Sequence, residues 1–182
     1  MHALIIGGTG MLTNVSKWLI QHSVHTTVVA RNKERLNRLQ PDEPNNVSVD
    51  LLSLDYKNTE ALSEHIKHAL NYHGAIDTVV AWVHRDAPQT IPVILNEIRD
   101  QQQKNYHFFH IKGSSQNLAS IKSRLSVPSM CQYHTIQLGF VVEGNYSRWL
   151  THEEIADGVI NAVIQKEEKM VIGQLEPWGM RP

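Results

Sequence analysis

Ala3-Leu4-Ile5-Ile6-Gly7-Gly8-Thr9-Gly10-Met11-Leu12 is an apolar run that ends abruptly in glycines and leads into a segment of helical period. Ala3–Gly7 reads as a short buried strand, and Met11–His22 as the helix after it. The glycines between them permit a tight turn and a close backbone approach. The helix N-terminus beyond adds free N–H donors and a favourable dipole, so Gly7, Gly8, Thr9, Gly10, Met11 and Leu12 read as an anion site suited to a pyrophosphate. Where the usual pattern has a third glycine, this chain has Thr13.

Outward from that turn, strand-like and helix-like segments alternate. Strand-like runs are His25–Ala30, Val47–Leu52, Ile76–Trp82, Tyr106–Lys112, Tyr133–Val141 and Lys169–Gln174. Helical spacing is found near Lys33–Leu39, Thr59–Tyr72, Pro88–Gln103, Ser115–Leu125 and Thr151–Gln165. The strands are rich in Val and Ile with little polar alternation, which suits a parallel sheet covered on both faces. The expected fold is α/β, a Rossmann-type three-layer αβα sandwich with a doubly wound parallel sheet of about seven strands. Residues 1–182 read as one domain, with no repeat, low-complexity tract or linker.

Composition narrows the function classes. The chain has 182 residues, 41% hydrophobic and 19% charged, a globular balance. Lys plus Arg number 17 against 18 Asp plus Glu, so charge gives no reason to expect nucleic acid or an anionic membrane as partner. The single cysteine, Cys131, cannot form an internal disulfide and reads as a buried or loop thiol. The N-terminus lacks a basic region and a signal-like apolar run, and no stretch of about 18 apolar residues occurs. A cytoplasmic protein is expected.

The end of the second strand tests which dinucleotide the turn would hold. A free ribose 2′-hydroxyl usually meets an acid there, whereas a 2′-phosphate needs a cation. The chain reads Val28-Val29-Ala30-Arg31-Asn32-Lys33. A guanidinium fits phosphate bidentately, so Arg31 beside Asn32 favours NADP(H) over NAD. The plainer alternative is that Arg31 and Lys33 open a solvated helix with Arg35 and Arg38.

Glycine turn, Ala30-Arg31-Asn32, and a third strand ending in Leu54-Asp55-Tyr56 together resemble the short-chain dehydrogenase/reductase superfamily, in particular its small atypical bacterial members. The likeness continues through Val80-Ala81-Trp82-Val83-His84, Lys112-Gly113-Ser114-Ser115, Ile136-Gln137-Leu138-Gly139-Phe140-Val141 and Ser147–Asp157. The resemblance implies that Asp55, flanked by Leu54 and Tyr56, contacts the adenine. It also implies that Ala81, Trp82, Val83 and Gly113 lie against the cofactor, and that Ser114 stands at the catalytic serine position.

The common mechanism of that family uses a Tyr and a Lys four residues apart on the helix after the fifth strand, the ammonium lowering the phenol pKa. Ser115–Leu125 contains Lys122 but no tyrosine, and the residue four after Tyr133 is Gln137. Substitute proton donors are therefore sought in His84, Ser114 or Ser115, and Tyr133 or Tyr146. Against these stand plainer roles: a loop histidine for His84 and a helix cap for Ser114.

Eleven histidines raise a metal site, but His65, His68 and His73 read as a solvated helix face, and no metal is expected. His107 and His110 should lie on opposite faces of a strand. The expected partners are a small-molecule substrate and, as a homo-oligomer (dimer or tetramer), further copies of the chain. Two functions remain open: an NADP(H)-dependent oxidoreductase acting on a small carbonyl-type substrate with a non-standard proton donor, or a non-catalytic NADP(H)-binding redox-sensing or regulatory module.

Overall fold

A computed structural model describes residues 1–41, 47–115 and 125–182. Its strands are β1 (His2–Ile6), β2 (His25–Ala30), β3 (Ser48–Ser53), β4 (Thr78–Trp82), β5 (Tyr106–Lys112), β6 (Cys131–Leu138), β7 (Phe140–Glu143), β8 (Tyr146–Trp149) and β9 (Lys169–Ile172). The helices are α1 (Thr13–His22), α2 (Lys33–Asn37), α3 (Thr59–His73), α4 (Thr90–Gln101) and α5 (His152–Gln165). Seven strands form one sheet in the order β3-β2-β1-β4-β5-β6-β9, and every pairing in it is parallel. Reversal of strand order between β1 and β4 makes that junction the switch point of a doubly wound sheet.

Side chains of each strand alternate between two apolar layers. Ala3 and Ile5 of β1 face Val15 and Leu19 of α1 and Val159 and Val163 of α5. Leu4 and Ile6 face the opposite way, toward Leu62 and Ile66 of α3 and Ile94 and Ile98 of α4. Burial on both faces explains why these strands carry near-continuous Val, Ile and Leu. His110 packs beside Phe108 and Tyr133, and His107 beside Phe109 and His134, so the two histidines do take opposite faces.

Two readings change. The run expected as one strand, Tyr133–Val141, breaks at Gly139, whose amide donates to Ile172 O at 2.9 Å. Beyond the break, β7 leaves the sheet and pairs antiparallel with β8, a strand the periodicity did not suggest. The start of β7 lies inside the expected run, whereas β8, Tyr146-Ser147-Arg148-Trp149, has no apolar run to mark it. The helix start expected at Met11 is a 3-10 turn over Gly10–Leu12, and α1 begins at Thr13. The expected helix Ser115–Leu125, with Lys122, lies almost wholly outside the described residues. Thr151 caps α5 in a reciprocal box with Glu154, as its spacing before two acids suggests.

Candidate active site

The carboxyl ends of β1, β2, β4 and β5 carry the candidate site, and β1 shapes it first. Gly7 has φ of +77°, and a Cβ there would sit 2.7 Å from the Trp82 carbonyl oxygen. Gly10 repeats the positive φ, at +76°. At Gly8 a Cβ would lie 2.5 Å from Val28 Cγ1 and 2.7 Å from Ser16 Oγ. Gly8 thus performs the close helix–strand packing for which a third glycine is usually needed, and Ser16 Oγ–H donates to Gly8 O at 2.6 Å. Thr13, standing at the third-glycine position, donates its hydroxyl to Gly10 O at 2.8 Å and tightens the turn.

A cleft of about 380 Å³ opens above this turn, lined by Gly7, Thr9, Gly10, Met11, Ala30, Arg31, Asn32, Arg35, Tyr56, Trp82, His84 and His152. Asn32 accepts a hydrogen bond from Arg35 N at 2.9 Å and so caps α2. That cap aims the first turn of α2 at the cleft and brings the Arg35 guanidinium within 3.9 Å of the ideal Cβ position of Gly10. No acid is among the lining residues. Arg35 and His152 were not singled out from sequence. Arg35 looks like one of several solvated helix charges until the Asn32 cap fixes its direction.

Several residues expected at the cofactor do not line this cleft. Leu12 is fully buried in the core, Ala81 likewise, and Gly8 is closed off by packing, so none of the three lines the cleft. Asp55 is exposed and accepts from Lys57 N at 3.0 Å within its own turn, and Leu54 packs beneath the adjacent core. Neither is a lining residue. Tyr56 is one: its hydroxyl accepts from His84 N at 3.4 Å, and its carbonyl accepts from Thr90 Oγ1 at 3.1 Å, joining the ends of β3 and β4.

Trp82 divides this cleft from two neighbouring hollows. One, of about 400 Å³, includes Val83, His84, Arg85, Gly113 and Ser115. The other, of about 250 Å³, includes Met11, Gly113, Ser114, Leu138, Gly139, Trp149 and Arg181. The glycine turn, His84 and Ser114 thus gather around one tryptophan, although far apart in sequence. Arg85 donates to Ser115 Oγ at 2.7 Å. Ser114 is buried; Arg181 Nε–H donates to its hydroxyl at 3.0 Å. The Arg181 guanidinium also stacks on Trp149 and Trp178, at 5.1 and 5.0 Å from their ring centres. Sequence reading missed Arg181, since nothing local ties it to β5.

Tyr133 is the clear correction among the proton-donor candidates. It occupies the first half of β6, at the end of the sheet away from the cleft, and is 7% exposed. Its hydroxyl shares a short hydrogen bond with His110 Nδ1, and burial pushes the phenol pKa up, the opposite of what proton exchange near neutrality needs. Tyr146 stands exposed on the β7–β8 hairpin, donating to Glu143 Oε2 at 2.5 Å, and lines none of these hollows. Lys112, the last residue of β5, is 8% exposed; burial, then the Arg85 charge, brings its ammonium down to about 8. Burial likewise pushes the Cys131 thiol up to about 11, consistent with an inert core thiol.

No protein-family model and no curated protein matches the sequence. Solved structures do. A short-chain dehydrogenase/reductase from Serratia marcescens aligns over 94% of this chain and 95% of its own, with TM-score 0.71 and 14% identity. A betaketoacyl-[ACP] reductase from Bacteroides thetaiotaomicron aligns over 95% and 97%, with TM-score 0.63 and 15% identity. Serine dehydrogenase from Escherichia coli aligns over 96% and 97%, with TM-score 0.66 and 16% identity. With strand order, glycine turn and switch-point cleft all in place, the chain has the short-chain dehydrogenase/reductase fold.

Proposed function

We propose that the protein is an NADP(H)-dependent oxidoreductase acting on a small carbonyl-type substrate, with a proton donor other than the usual Tyr/Lys pair. The observation that carries the cofactor reading is the cleft itself: a glycine turn with Gly7 and Gly10 at positive φ, flanked by Arg31 and Arg35, with no acid among its lining residues. Backbone N–H groups of the turn suit a pyrophosphate, and the two guanidiniums suit a 2′-phosphate. When bound, the nicotinamide supplies the hydride. Trp82 fits as the wall that positions the ring and excludes water, and Ser114 as a hydrogen-bond partner for substrate oxygen. His84, exposed at the rim, is the better-placed titratable donor of those considered. The protein is read as a single domain, active as a homo-oligomer in the cytoplasm.

Trp82 makes binding directly measurable. NADPH should quench tryptophan fluorescence at lower concentration than NADH, and Arg31→Ala should weaken NADPH more than NADH. Equal loss for both would refute the 2′-phosphate role. NADPH oxidation across a panel of carbonyls and quinones tests turnover, and silence throughout would count against catalysis.

One observation favours the second reading, a non-catalytic NADP(H)-binding regulatory module. Arg181 already occupies the hydroxyl that substrate would address. On that reading NADPH binds tightly without turnover and shifts the association state of the chain. An Arg181→Ala variant that remains inert toward every substrate would support it; one that gains turnover would exclude it.

A further inference from the structure

At the opposite end of the sheet, four strand and helix ends converge on one face. His2 opens β1, His25 opens β2, Asp50 lies in β3, and His73 is the last residue of α3. Strand register pairs His2 with His25 and Thr27 with Asp50, and all three strand residues point toward the layer that holds α3. His73 Nε2 lies 3.0 Å from Asp50 Oδ2, and His25 Nε2 lies 3.7 Å from the same oxygen. One ligand atom from each of the three residues falls within 4.8 Å of the other two.

We infer that His25 Nε2, Asp50 Oδ2 and His73 Nε2 form a binding site for one divalent first-row transition-metal ion, of which Zn²⁺ is the representative. Two imidazoles and a carboxylate are a borderline N,N,O donor set, suited to zinc and its neighbours rather than to magnesium or calcium. Ligands about 2.1 Å from a tetrahedral ion stand about 3.4 Å apart, and the observed 3.0 and 3.7 Å bracket that edge. Water completes the fourth position.

The surroundings supply what such ligands need. Ser48 Oγ lies 2.8 Å from His25 Nδ1; as that nitrogen's hydrogen-bond acceptor it keeps Nε2 free for a cation. Asp50 brings the negative charge, and α3 points its C-terminal carbonyls at the same place. His25 and His73 are stacked, with ring centres 3.4 Å apart and planes 8° from parallel. Stacked rings aim their lone pairs side by side, so loading must swing one ring. His73 is the one free to move, because its side chain is 24% exposed and that of His25 is 4% exposed. Thr27 Oγ1, 3.1 Å from His25 Nε2, gives up that contact when the ion enters.

The ion would clamp the starts of β2 and β3 to the end of α3, far from the dinucleotide cleft. It is a structural site, independent of the oxidoreductase reading.

Isothermal titration of the full chain with Zn²⁺, and with Co²⁺ for its visible ligand-field bands, tests the site. One equivalent should bind, with cobalt bands of tetrahedral intensity and a rise in unfolding temperature. Asp50→Asn and His73→Gln alter partly exposed side chains, and each should weaken binding by more than tenfold. Ser48→Ala, which removes only the partner of His25 Nδ1, should weaken it about tenfold. Urea midpoints without metal show whether each variant is folded. The proposal fails if the folded wild-type chain binds no Zn²⁺ or Co²⁺, or if binding survives Asp50→Asn and His73→Gln together.

Discussion

The two ends of the parallel sheet face opposite electrostatic demands. At the carboxyl ends of the strands, α1 and α2 begin, which puts the positive ends of their dipoles there, and the side chains lining the cleft include Arg31, Arg35 and His152. At the amino ends, α3 finishes and the residues gathered there are His2, His25, His73 and Asp50. Parallel strands joined by helices force this polarity, because each helix runs back from the carboxyl end to the amino end. The first end suits an anion and the second a cation. The sequence honours both: β1 leaves through glycines with bare backbone and enters through a histidine.

The comparison breaks most visibly at Gly8. Gly8→Ala puts a Cβ within 2.5 Å of Val28 Cγ1, so we expect a loss of about 1–3 kcal/mol in urea unfolding, with dinucleotide affinity falling alongside. Zn²⁺ binding at the far end should persist wherever the variant remains folded. An unchanged midpoint would mean that the turn relaxes more easily than its packing implies.

Arg35→Ala sharpens the anionic side of the contrast. Losing a charge-assisted contact to a 2′-phosphate is expected to weaken NADPH by about tenfold or more and leave NADH nearly untouched. Fluorescence titration of both nucleotides decides it, and a parallel drop in NADH affinity would move Arg35 to the pyrophosphate.

Lys112 reports on the same end through pH. Its folded pKa, about 8, lies below the ordinary 10.5, so the unfolded chain binds more protons between those values. Stability should therefore rise from pH 8 to 10.5 through this group, by about 1–2 kcal/mol after allowing for solvent screening. The difference between wild type and Lys112→Met, followed by urea unfolding across that window, isolates the effect. A flat difference would place the ammonium in solvent.

The smallest expected change is at neither end's ligand site. Thr151→Ala removes the cap that starts α5 beside the cleft, and should cost about 1 kcal/mol. Thermal unfolding measures it; cofactor affinity should barely move unless His152, next in sequence, depends on the cap for its position.

Much of the carboxyl end was legible before any fold was known. Gly7 to Gly10 lie within one βα junction, Arg31 follows directly on β2, and Trp82 closes β4, so local order carried the cleft. Arg35 was visible as a residue but not as a cleft residue, because its direction depends on the Asn32 cap. The same reading misjudged Tyr133: one residue number within a strand does not tell which half of the sheet it occupies once the strand starts at Cys131 and stops at Gly139. Leu12 and Ala81 were expected at the cofactor from position in a motif, and the fold buries their side chains, while the Asp55 carboxylate bonds within its own turn beside the lining residue Tyr56. Arg181 and β8 gave no local signal, and β7 was read only as the tail of the preceding strand.

By itself, then, the sequence determined the alternation of strands and helices, the parallel sheet and the glycine turn, since these follow from apolar periodicity and backbone freedom over a few residues. Only the tertiary structure decided which side chains meet: Arg181 on Ser114, Tyr133 on His110, and His25, Asp50 and His73 around one point. Those contacts join residues 23 to 67 positions apart, and their geometry comes from strand register and helix packing, which no short window of sequence contains.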